Sequence, residues 1–191
     1  SGYSNTTGQN EAFGLYALYY NTTGNHNVAV GTSALQANTT ASNNTAVGYQ
    51  ASFYGTTANS NAIIGFQAGF TNTTTCGLVC VGWKAGYNIS NGNADAGTST
   101  FVGYSAGTAT TTGVDNTFIG FAGSSNTTGS RNTALGSLAL YSNTTGYENT
   151  AVGYTAGYSN TTGQDNVFVG RLSGYANTTA NNNCCLLYTS P

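Results

Sequence analysis

Charge is almost missing from this sequence. Its 191 residues hold three basic and five acidic side chains, 4% of the chain, where about 25% is ordinary for a soluble protein. The only cations are Lys84, Arg131 and Arg171, too few to neutralise a run of phosphates or to hold an anionic membrane surface. No nucleic acid is therefore expected as a partner. No stretch is apolar over the roughly 20 residues of a membrane-spanning helix, so no membrane insertion is expected either. Methionine is absent, and the one proline is Pro191. The chain opens at Ser1 inside a repeat and reads as a piece of a longer protein, so the lack of a leader says nothing about export.

Catalytic groups are equally scarce. The one histidine, His26, sits in the turn Gly24-Asn25-His26-Asn27, and its nearest carboxylate in sequence is Glu11. The five carboxylates share no repeated spacing, no calcium-type Gly-Gly-x-Gly-x-Asp run occurs, and the Gly-x-x-x-x-Gly spacings lack the lysine of a phosphate loop. The expectation is a protein that is not an enzyme and takes no metal or cofactor. Cys76 and Cys80 lie four apart without a second pair or a histidine. A corner disulfide and two small core fillers both fit them better than a metal site.

What the chain has instead is glycine, tyrosine and a period. There are 27 Gly, 14 Tyr and 8 Phe, and aromatic and β-branched residues at this density argue against disorder. A glycine that follows an apolar pair falls at Gly14, Gly31, Gly48, Gly65, Gly82, Gly103, Gly120, Gly136, Gly153 and Gly170, with gaps of 17, 17, 17, 17, 21, 17, 16, 17 and 17 residues. A period held this long is the mark of a repeat architecture. Short β-branched segments running from about −4 to +1 around each glycine, with turns at fixed offsets, predict an all-β fold: a parallel β-solenoid of ten coils of about 17 residues.

With each anchor glycine numbered zero, position −1 reads Val30, Val47, Ile64, Val81, Val102, Ile119, Leu135, Val152 and Val169 after Phe13. This column is expected to face the core. Position +3 is small in every copy, from Ala17 to Ser173, with Gly123 in the seventh, and is expected at a closely packed opposite wall. Position −4 is Asn10, Asn27, Asn44, Asn61, Asn116, Asn132, Asn149 and Asn166. Stacked amides at one position of successive coils can bond from coil to coil.

Positions +7 to +10 usually read Asn-Thr-Thr-Gly, a turn sequence. It also creates Asn-x-Ser/Thr sequons at Asn21, Asn38, Asn72, Asn143, Asn160 and Asn177, with others at Asn5, Asn43, Asn88 and Asn126. Glycosylation is one reading of them; a turn copied with the repeat is the favoured one. Threonine recurs at +8, taken as Thr22, Thr39, Thr56, Thr73, Thr111, Thr128, Thr144, Thr161 and Thr178. A row of hydroxyls of this kind offers an ice-ordering surface as a minor alternative. Aromatics fill +1 at Tyr49, Phe66, Trp83, Tyr104, Phe121 and Tyr154, and +5 at Phe53, Phe70, Tyr87, Tyr141, Tyr158 and Tyr175. These make an interface between chains or an adhesive, sugar-stacking strip.

The phrases Asn27-Val28-Ala29-Val30-Gly31 and Asn44-Thr45-Ala46-Val47-Gly48 are similar to the Ser-Val-Ala-Ile-Gly repeats of YadA-like heads of trimeric autotransporter adhesins. The longer Asn44-Thr45-Ala46-Val47-Gly48-Tyr49-Gln50-Ala51 also resembles repeats of phage tail-fibre proteins. The resemblance covers residues 10 to 180. It implies a left-handed β-roll, association with copies of itself as a homotrimer, and a place at the cell surface or virion tail; a self-assembling extracellular filament is the alternative. It also implies attachment to a cell-surface glycan or protein receptor. One solenoid domain is expected over residues 1–183, with a loop insertion around 88–98. The tail 184–191 leaves the pattern and resembles a translated sequencing adapter.

Overall fold

A computed structural model describes residues 8–90 and 98–187. The inserted residues 91–97 lie outside the described residues, as do the sequon at Asn5 and the end of the tail. The chain is a parallel β-solenoid with one strand per coil. The strands are β1 Asn10–Phe13, β2 Asn27–Val30, β3 Thr45–Val47, β4 Ala62–Ile64, β5 Val79–Val81 and β6 Thr100–Val102. They continue with β7 Thr117–Ile119, β8 Thr133–Leu135, β9 Thr150–Val152, β10 Val167–Val169 and β11 Cys184–Leu186. They form one 11-stranded parallel sheet in sequence order. Register follows the repeat: Thr45 stands opposite Ala62, Val79 opposite Thr100 across the insertion, and Thr117 opposite Thr133 across the short coil.

Each strand ends where the backbone bends at the anchor glycine. At Gly31 φ is 130°, and an added Cβ would lie 2.5 Å from the carbonyl oxygen of Gly48 in the next coil. Neither that angle nor that approach is open to a side chain. Beyond the anchor the chain runs through turns, with left-handed residues at +2, +4 and −5 such as Ser33, Leu35 and Asn43. These walls are not strands, yet their backbones still bond coil to coil: Leu35 N–H donates to Ala51, Ala37 to Phe53 and Thr39 to Thr56.

The expected core column is corrected. Val30, Ile64 and Ile119 are exposed, and Val47, Val81, Val102, Leu135, Val152 and Val169 are only partly covered. The buried strand position is −2: Ala29, Ala46, Ile63, Cys80, Phe101, Phe118, Ala134, Ala151 and Phe168. Side chains alternate along a strand, so −4 and −2 share a face and −1 takes the other. The −4 asparagines are themselves buried, which puts −1 outside.

Core volume is shared between −2 and +4. Where −2 is alanine, +4 is leucine in three coils: Ala12 with Leu18, Ala29 with Leu35, Ala134 with Leu140. Where −2 is large, +4 is glycine: Ile63 with Gly69, Phe101 with Gly107, Phe168 with Gly174. A Cβ on Gly107 would lie 2.6 Å from the Phe101 ring, and one on Gly69 3.1 Å from Ile63. In the ninth coil both are small, Ala151 and Gly157, and the space at Gly157 is filled by Phe168 and Leu140 from the coils on either side.

Two further expectations shift. In the short seventh coil the missing residue falls after Phe121, so Ala122 and not Gly123 takes the small wall position, its carbonyl accepting from Gly107 as Ala106 accepts from Gly86. The tail expected outside the repeat supplies β11, with Cys184 opposite Val167 and Cys185 against the core. Residue 187 stands 17 after Gly170. An extended segment arriving in register on an unpaired parallel edge takes up its hydrogen bonds.

Candidate functional site

Three surfaces and two internal ladders are candidates for function, and each grows from one column of the repeat. The first ladder is the −4 asparagines. Asn44 donates its backbone N–H and its side-chain amide to Asn27 Oδ1 at 3.0 and 3.1 Å, and Asn166 does the same to Asn149 at 3.1 and 3.0 Å. The second ladder was not read from the sequence. It is the first residue of Asn-Thr-Thr-Gly: Asn38 donates to Asn21 at 2.8 Å, Asn143 to Asn126 at 2.8 Å and Asn160 to Asn143 at 3.0 Å. Both amides of a coil converge on one carbonyl at +10, as Asn149 and Asn160 do on Gly163 at 2.8 and 3.0 Å. In the fifth coil the pair is Leu78 and Ile89, both buried, so an apolar pair stands where two amides would. The constancy of +7 was visible in the sequence, but it resembled a turn signal and concealed a buried role.

The ladder bears on six of the sequons in the folded chain. Asn21, Asn38, Asn72, Asn126, Asn143 and Asn160 are fully buried, and their amides face inward to carbonyls and other amides, so none presents a nitrogen to a sugar. Asn177, in the last full coil, is partly covered but bonded in the same way to Asn160 and Ala180. Asn43 is exposed, at a left-handed φ of 62°.

The first surface is the corner. Threonine hydroxyls at +8 point along the rod: Thr39 donates to the carbonyl of Thr56, Thr144 to Thr161 and Thr161 to Thr178, at 3.2, 3.0 and 2.9 Å. In the short coil this part falls to Thr127, 3.0 Å from the Thr144 carbonyl, and not to Thr128. These hydroxyl protons are held by the next coil and are not free to donate to surface water, which weighs against an ice-binding face on this column. The outward row is the next residue, with Thr40, Thr57, Thr112, Thr145 and Thr162 exposed.

Charge gathers on the second surface. Of eight charged residues and one histidine, His26, Asp115, Arg131, Glu148 and Asp165 all occupy −5, at left-handed φ between 55° and 57°. Arg131 Nε donates to Glu148 Oε1 at 2.7 Å. Both side chains are about half exposed, which limits the pair to under about 1 kcal/mol. A shallow groove beside them is lined by Val114, Thr128, Ser130, Arg131, Thr145 and Tyr147. Among the described residues no three His, Cys, Asp or Glu side chains gather as a metal set.

The third surface is the outer face of the sheet. Its rim carries the +1 rings: Tyr49 stacks on Phe66, Phe66 on Trp83 and Trp83 on Tyr104, with planes within 14°, 7° and 6° of parallel and centroids 5.4, 6.2 and 4.7 Å apart. Phe121 breaks the stack, meeting Tyr104 edge-on and reaching across to Tyr141 at 5.4 Å. Tyr154 stands exposed beyond it, with the Arg171 guanidinium 6.0 Å from its ring centre. The +5 rings form a second stack, Phe53-Phe70-Tyr87 and then Tyr141-Tyr158-Tyr175, half-buried except at the exposed Tyr175. Lys84 lies between the two stacks, its Nζ 4.7 Å from the Trp83 ring and 5.1 Å from Tyr87. Because each ring in a stack covers its neighbours' faces, the tape shows edges outward. A sugar-stacking strip would need open faces.

The four cysteines are free thiols. Burial pushes the Cys80 thiol up from 9.0 to about 12. The unfolded chain releases this proton above pH 9.0 while the folded chain keeps it, so the contribution to stability is complete below pH 9.0 and is lost as pH rises towards 12. In native buffer at pH 8, iodoacetamide is expected to label Cys184 and Cys76 well before Cys80, and Cys80 at comparable speed only in denaturant. Peptide mass mapping over a time course checks this.

Compared with protein-family models, with curated proteins and with solved structures, the chain gives no match.

Proposed function

We propose that this chain is a structural rod segment of a fibre on a cell or virion surface, and that it acts in attachment to a cell surface. The observation that carries the reading is the continuity of bonding along one axis. The sheet, the amide ladders and the threonine hydroxyls all run coil to coil, so bending the rod strains many hydrogen bonds together. Such a body suits a stiff spacer that holds side chains at a distance. In this reading the chain has no catalytic chemistry of its own, works outside the cell with copies of itself, and meets a cell-surface glycan or protein receptor. Eleven strands at about 4.8 Å give a rod about 50 Å long. Negative-stain images are expected to show rods of that length, and labelled protein is expected to be retained saturably on bacterial cells or on their purified surface polysaccharide. Compact particles would end the rod reading. Rods retained by none of the cells tested would end the attachment reading.

A further inference from the structure

The outward side chains of the sheet are the residues at −3, −1 and +1 of each coil. Over the second to tenth coils these positions carry a single charge, Arg171. Val30, Ile64, Phe66, Trp83, Tyr104 and Ile119 on this face are all exposed, and four of the chain's eight charges stand instead at −5. A soluble monomer rarely leaves an apolar strip this long in water.

We propose that this face is the seam on which a second copy of the chain lies, with the two rod axes aligned. This rests on the fibre reading and names the partner for one face of it. The area supports a protein partner: nine coils at about 4.8 Å by about 13 Å of extended chain is about 600 Å² in flat projection, before side-chain relief is counted. That approaches the roughly 800 Å² per partner of a standard stable interface. The repeat supports a second copy in particular. Both rods carry the same coil spacing, so one copy's ridge of ring edges and β-branched side chains fits the other's grooves without drifting out of step along the axis. The stacked rings favour the same partner over a sugar, since they offer C–H edges to aliphatic side chains and keep their faces to themselves.

Sedimentation velocity over a range of concentrations tests the seam. The 19.4 kDa chain is expected to sediment as a multiple of that mass. The outward double substitution Val81→Glu with Val102→Glu is expected to weaken association at least tenfold with an unchanged far-ultraviolet spectrum. The single Thr100→Lys serves as a milder variant should the double one fail to fold. Trp83, the only tryptophan, lies on the seam, so its emission is expected to shift to the red on dilution in step with the fall in mass. A wild-type monomer at every concentration would overturn the proposal. So would full association in a natively folded variant, or a mass change that leaves Trp83 emission fixed. Rod shape and cell retention are read separately, so a failed seam and a failed fibre reading give different results.

Discussion

Replacing Gly107 with leucine is expected to destabilise the rod by about 3 kcal/mol, as overpacking of a filled core does; adding Phe101→Ala is expected to cost little more. The new side chain would start 2.6 Å from the Phe101 ring. Its left-handed φ of 58° is not the obstacle, because Leu18, Leu35 and Leu140 hold the same column at 50°, 50° and 48°. Phe101→Ala alone opens a cavity beside Phe118, whose ring centre is 5.5 Å away, and is expected to cost about 3 to 5 kcal/mol. Together the two changes install the Ala/Leu pairing that the second and eighth coils already use. The losses are then expected to fall short of their sum by about 3 kcal/mol, the size of coupling found between contacting residues. Guanidinium denaturation of the four proteins, followed by circular dichroism, checks it. Additive losses would mean that the −2 and +4 positions do not share one volume.

The second large effect is expected at Asn149. Its amide donates to Asn132 Oδ1 and to the Gly163 carbonyl, and its own oxygen accepts from Asn166 twice. Asn149→Asp removes both side-chain donors and places a carboxylate, fully buried, against two oxygens that each lose one of their donors, Asn132 Oδ1 keeping the Asn149 backbone N–H and the Gly163 carbonyl keeping Asn160. A loss of about 3 to 4 kcal/mol at pH 7 is expected, the range for breaking a buried polar pair. The sign of the pH dependence follows from burial, which raises the folded-state pKa of the new carboxyl above its unfolded value of about 3.9. The deficit relative to wild type is therefore smallest below that pH, where the acid is neutral in both states, and grows as pH rises. Paired melts at pH 3.5 and pH 7 measure it, and a deficit that is the same at both would refute a buried charge. Asn149→Leu combined with Asn160→Ile imports the apolar pair of the fifth coil, Leu78 and Ile89, and is expected to lose less than the single aspartate.

These two results bear on what was readable in the residues. The period, the place of the strands and the −4 amide column all follow from local rules, because a repeat that bonds to its own copy must carry the same polar group at the same offset. The side of the strand that faces inward did not follow in the same way. Val30, Val47 and Val81 looked like core because nine of the ten residues in their column are aliphatic, whereas −2 mixes Ala29, Ala46, Cys80 and Phe101. The uniform column is the outer ladder of stacked β-branched side chains. The variable one is inside, and it varies because +4, or a neighbouring coil as at Gly157, takes up the difference in volume. The buried amide at −4 already implied as much, since −4 and −1 cannot share a face of one strand.

The sequence by itself thus determined a rod of stacked coils: glycine at each anchor where the backbones approach, and asparagine for the ladder. Only the tertiary structure decided what each column touches. It turned the Asn-Thr-Thr-Gly asparagines inward, aimed the +8 hydroxyls along the axis, and left Phe66, Trp83 and Tyr104 as a tape of edges. The reason is that direction depends on how a coil closes. Closure is set at the left-handed residues Ser33, Leu35 and Asn43 and their counterparts, positions where the residue types are too mixed to announce a bend.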